Sequence, residues 1–90
     1  MATKAELVRE FKDLEEEYRF WLVEAISIER SLDGMETQIN QYEHELGPER
    51  TADFRTRLAS TRERHRSIEE KIRYVRSRLD ELRVRLDEIP

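Results

Sequence analysis

Apolar side chains recur along the first half of the chain at Leu7, Phe11, Leu14, Tyr18, Trp21, Ala25, Ile28, Leu32, Met35, Ile39, Tyr42 and Leu46. The steps between them alternate four and three residues without a break. The second half repeats the rhythm at Phe54, Leu58, Thr61, His65, Ile68, Ile72, Val75, Leu79, Leu82, Leu86 and Ile89. A mean spacing of about 3.5 residues keeps one narrow stripe turned toward a partner helix over its whole length, which is the coiled-coil condition. The pattern predicts two long helices, about 3–46 and 51–89, joined by a turn at about 47–50, in one domain spanning 1–90. Thr3 followed by Glu6 is a capping-box start for the first helix. Gly47-Pro48 is the strong breaker, with Gly suited to the residue past a helix end and Pro to the first position of the next helix. Thr51 is a competing start for the second helix. The heptad phase runs through Asp33-Gly34 without a skip, so the first helix is expected to continue there; a break would give a three-helix bundle.

The residues flanking the stripes choose the pairing. With Leu7, Leu14 and Trp21 at d, the g and e positions of the first helix are mostly Glu: Glu10, Glu17 and Glu24 on one side, Glu15, Glu29, Glu36 and Glu43 on the other. The corresponding rows of the second helix are mostly basic, with Arg57, Arg64, Lys71, Arg78 and Arg85 at g and Arg55, Arg62, Arg76 and Arg83 at e. Either helix packed on itself would align like charges, so the first helix prefers the second. The short turn makes that pairing antiparallel. The fold class is therefore all-α, an antiparallel two-helix coiled-coil hairpin. The register with the shortest loop places Ile39 opposite Thr61, Ile28 opposite Ile72, Trp21 opposite Leu79 and Leu14 opposite Leu86. It predicts ion pairs Glu15–Arg83, Glu36–Arg62 and Glu43–Arg55 along one flank, and Glu17–Arg78 and Glu24–Lys71 along the other. The main intrachain seam is expected from Trp21, Ile28, Leu32, Ile39, Ile68, Ile72, Val75 and Leu79.

The first helix carries more apolar surface than one seam uses. Phe20, Leu22, Val23 and Ile26 lie off the stripe, and with Tyr18, Trp21, Ala25 and Ile28 they make this stretch apolar nearly all round. Such a helix is buried on more than one side. These four residues are the expected interface for a second copy, giving a homodimer that is a four-helix bundle, or else for another helical protein.

Composition narrows the remaining choices. Hydrophobic residues are 37% of the chain and charged residues 42%, with two Gly and two Pro, which suits long helices better than a compact globule. Net charge is only −4, and the strict apolar placement argues against disorder. Cysteine is absent, so disulfides and thiolate metal sites are excluded. The longest apolar run, Phe20 to Val23, is far too short for a membrane span. No apolar leader core, myristoylation glycine or prenylated cysteine is present, so a soluble cytoplasmic protein is expected.

Candidate chemistry adds little. His65 falls on the seam, expected opposite Met35, where its protonation would weaken the packing; His44 falls on the solvated face. Neither has a Glu three residues before it, as helical di-iron bundles require. No HExxH, phosphate-binding glycine loop or nucleophile elbow occurs. No catalytic residue, metal site or cofactor is expected, and the chain reads as a non-enzymatic structural or interaction protein. Residues 47–90 hold twelve basic and nine acidic side chains. Their outward face mixes Arg66 and Arg73 with Glu63, Glu70, Asp80 and Glu81, without the continuous basic stripe that phosphate binding needs. A small chaperone-like binder is therefore a closer alternative than a nucleic-acid partner.

Overall fold

The computed structural model describes residues 2–90 and consists of two helices, α1 (Lys4–Leu46) and α2 (Ala52–Asp87), packed side by side and antiparallel. The body measures 66 × 17 × 14 Å. The 43 residues of α1, at ~1.5 Å each, account for its length. The Thr3 hydroxyl accepts a hydrogen bond from the Glu6 backbone N–H at 3.2 Å, so the capping residue satisfies one orphan donor of the first turn. Gly47 ends α1 with φ 84°, and its N–H donates to the Glu43 carbonyl at 3.0 Å. That left-handed φ is the conformation only glycine adopts without strain. Gly34 sits inside α1, which runs through it uninterrupted.

Leu7, Ala25, Ile28 and Ile39 of α1, and Leu58, Ile68, Val75, Leu79 and Leu82 of α2, are buried. Ala25, Ile28 and Ile68 form the centre, with Trp21, Leu32 and Ile72 half-buried against them. This is the seam that the four-three spacing specifies. Two of the expected ion pairs close it along one flank: Arg62 to Glu36 at 2.8 Å, and Arg55 to Glu43.

The register differs from the shortest-loop expectation. Arg78 reaches Glu10 rather than Glu17, with Nε at 3.0 Å and Nη2 at 2.8 Å from the same carboxylate oxygen. Were Trp21 opposite Leu79, Glu10 would be level with Pro90, about twelve residues or ~18 Å from Arg78. Lys71 lies over the Trp21 ring, its ammonium 4.3 Å from the centroid, instead of pairing with Glu24. Glu24 is 4.0 Å from Arg64. Tyr42 stacks on Phe54 at 5.9 Å, and His65 meets Glu29. Together these contacts set Ala25 beside Ile68 and Trp21 beside Ile72, one heptad from the expected alignment. Glu15–Arg83 is not among the ion pairs of the described residues.

Thr51 marks the turn end of the seam. It lies three residues before Phe54, so it extends the α2 stripe by one layer, and it is fully buried. Its hydroxyl donates back toward the carbonyls of Gly47 (3.2 Å) and Pro48 (3.1 Å), which satisfies it in the turn. It therefore makes no side-chain cap for α2, and Pro48 lies in the turn rather than in the helix. A small, internally bonded hydroxyl thus fills the last seam layer beside the turn.

Candidate interaction surface

At about 100° per residue, Val23 points directly away from α2, and Phe20 and Ile26 lie about 120° from the seam on either side of it. All three are exposed, at 54% for Phe20, 65% for Val23 and 50% for Ile26. Leu22 belongs elsewhere: it flanks the seam about 80° away and is less open, at 37%. The expected four-residue patch thus resolves into an outer face of three residues and a separate flank residue. α2 has no comparable cluster. Tyr74 and Val84 are exposed but stand ten residues apart in sequence.

The outer face is shaped as well as apolar. Phe20 packs edge-on against Trp21, centroids 5.0 Å apart at 71°. Trp21 is itself pinned, because its Nε1–H donates to Glu17 at 3.2 Å and Lys71 covers its ring. The Phe20 ring is therefore held outward by a side chain tied to both helices. One turn along α1, a shallow depression lies between Val23, Ile26, Ser27, Arg30 and Ser31. Ser27 contributes the shortest side chain on the outer face to this lining, together with Ser31. Val23, Ile26, Ser27 and Arg30 are spaced i, i+3, i+4, i+7, the four-residue hole into which a coiled-coil knob fits.

Charge frames the patch. Lys12 and Glu16 lie on the outer face toward the start of α1, and Arg30 and Asp33 toward its end. All four are exposed, and none makes an ion pair among the described residues. The seam charges behave differently. The hydrogen bonds to Glu10 and then Glu81 push the Arg78 pKa above its usual arginine value, and the Glu10 contact ties this cation to α1.

His65 is the remaining polar group on the seam. It does not face Met35. The one-heptad shift brings it level with Ile28, with Nε2 3.2 Å from Glu29 of α1 and Nδ1 3.1 Å from Glu69 of its own helix. A neutral imidazole has one N–H and satisfies one of these carboxylates; the imidazolium donates to both. Both ring nitrogens of His65 thus face carboxylates at the edge of the seam. Among the described residues no group of three or more His, Cys, Asp or Glu is placed to hold a metal ion, and no helix is long and apolar enough to cross a membrane.

Helix 2's basic rows are less fully engaged than the charge pattern implies. Arg55, Arg62, Arg64 and Arg78 meet carboxylates of α1, and Arg66 pairs with Glu63 at 3.5 Å. Arg57, Arg73, Arg76, Arg83 and Arg85 have no such partner among the described residues. Glu69 and Asp80 interrupt Arg73, Arg76 and Arg83 on one flank, and on the other Arg57 and Arg85 are separated by Arg64 and Arg78, which are paired to α1, so the free cations do not merge into a continuous stripe.

No protein-family model matches the chain, and neither a curated protein nor a solved structure is significantly similar to it. The shape and chemistry of the hairpin are the basis for its functional reading.

Proposed function

We propose that this chain is a non-enzymatic coiled-coil interaction protein, a soluble cytoplasmic scaffold or assembly element that acts by self-association through the outer face of α1. One observation carries the reading: Phe20, Val23 and Ile26 form a contiguous apolar face, opposite the seam, which the hairpin's own α2 has no means to cover. The dimer has four helices. Because Val23 points away from α2, they lie as a layer with the two α1 helices inside, rather than as a square bundle. Burying the exposed remainder of each of these side chains contributes about 1 kcal/mol. Association costs ~4–15 kcal/mol in lost freedom, so the dimer is weak and concentration-dependent.

The test is absolute mass by light scattering over a concentration series, for the wild type and for Val23→Glu. A mass that climbs toward the dimer in the wild type and stays monomeric in the variant is the expected result. A wild type that is monomeric throughout contradicts self-association and moves the reading to a binder that holds a foreign helix on the same face.

A further inference from the structure

We infer that the second copy lies antiparallel along the outer face of α1, with the two-fold axis beside Val23 and the Phe20 ring of each copy seated over Ser27 of the other. This rests on the self-association proposed above and adds its orientation and register.

The charges select the orientation. From the N-terminal side, the outer face reads Lys12, Glu16, the apolar patch, Arg30 and Asp33. A parallel second copy would set Glu16 on Glu16 and Arg30 on Arg30. An antiparallel copy turned about Val23 sets Glu16 against Arg30 and Lys12 against Asp33, and each contact occurs twice by symmetry. Sliding that copy by three residues, so that Val23 meets Ile26, brings Arg19 against Arg30 and Glu16 against Asp33. Like charges then meet at both ends, so the charges disfavour that slide as well as the parallel direction.

The shape agrees with the charges. In the same alignment Phe20 of one copy comes within one residue of the level of Ser27 of the other, on the same flank of the contact. Phe20 is 54% exposed and braced by Trp21, and the small Ser27 lines the depression together with Val23, Ile26 and Arg30. A fixed aromatic knob and an empty four-residue hole are therefore brought together twice about one axis. The aliphatic stem of Arg19 falls across Ile26 of the other copy and covers it while its guanidinium stays in water.

Two experiments on the full chain test this. The protein has no cysteine, so single cysteines report position cleanly. Under mild oxidation Val23→Cys links into a covalent dimer. Thr37→Cys does not, because antiparallel copies hold those positions roughly 40 Å apart. Linkage through Thr37→Cys means a parallel pair and overturns the orientation while leaving self-association intact. In the second experiment, Glu16→Arg and Arg30→Glu each raise the dimer dissociation constant about tenfold. A one-to-one mixture of the two variants recovers wild-type affinity, because their altered faces are complementary. A mixture as weak as either variant alone overturns the pairing. A wild type that never dimerises removes the self-association reading, and this inference with it.

Discussion

His65 shows how one residue trades stability for fit. It occupies a seam position where the neighbouring layers hold Ile28, Ile68 and Ile72, yet it spends its ring nitrogens on Glu29 and Glu69. Both carboxylates are more than half exposed, so water solvates them if the imidazole is removed. His65→Leu leaves no buried charge unpaired and adds an aliphatic to the seam, which by area contributes about 1 kcal/mol. The expected outcome is a thermal midpoint ~4–8 °C higher by circular dichroism, as a gain of that size gives in a domain of this length. A lower midpoint would show that the imidazole's link between helices outweighs the packing it displaces. Thr51 is the second residue with a decisive local role. Its burial depends on the turn that satisfies its hydroxyl, and nothing in its identity alone announces that.

At the scale of the helices, the two glycines make a matched pair. Gly34 has helical backbone, and a Cβ added there meets nothing within 4 Å. Gly34→Ala should stabilise by about 0.5–1 kcal/mol, through the smaller backbone entropy lost on folding. Gly47 also has open space for a Cβ, but its φ of 84° strains any L side chain. Gly47→Ala should destabilise by about 1 kcal/mol. Urea titrations of the two variants should move the midpoint in opposite directions. A loss of stability in Gly34→Ala would mean that α1 needs the glycine to bend. The helices and their antiparallel pairing were legible from the chain because the stripe from Leu7 to Leu46, the stripe from Phe54 to Ile89 and the Glu and Arg flanks each point to the same arrangement. The register was not legible. A slide of seven residues returns every seam position to its own kind, so the spacing is blind to it. The last core layer beside the turn is likewise hidden from the apolar spacing, because it is a polar residue, Thr51. The outer face was partly legible for a similar reason: the surplus of Phe20, Leu22, Val23 and Ile26 is plain in sequence. That Leu22 sits on a different flank follows from its e position in the heptad, whereas the depression that Ser27 lines beside Val23 and Ile26 emerges only with the side chains in place.

For the molecule as a whole, folding and pairing are separable. The seam buries Val75 and Leu82 almost completely, whereas the outer face of α1 is open in the single hairpin. A Leu82→Ala change should therefore cost about 2–5 kcal/mol of folding stability. Val23→Glu should leave the dilute monomer's stability nearly unchanged. The two are distinguished by how the thermal midpoint responds to concentration. In the wild type it should rise with protein concentration, because only the folded hairpin associates. In Val23→Glu it should be flat over the same range, and a slope that survives the substitution would place the interface elsewhere.

The extended outline, 66 Å by 17 Å by 14 Å, also governs how the hairpin moves through solvent. Its radius of gyration is 19.9 Å, where a compact chain of the same length would have about 12 Å. Such a rod experiences far more hydrodynamic drag than a sphere of equal mass. It diffuses slowly, sediments slowly and leaves a porous matrix early. A single hairpin therefore travels like a globular protein of considerably greater mass, and adding a second copy alongside thickens the rod more than it lengthens it. In the proposed dimer, friction and mass would consequently change in different proportions.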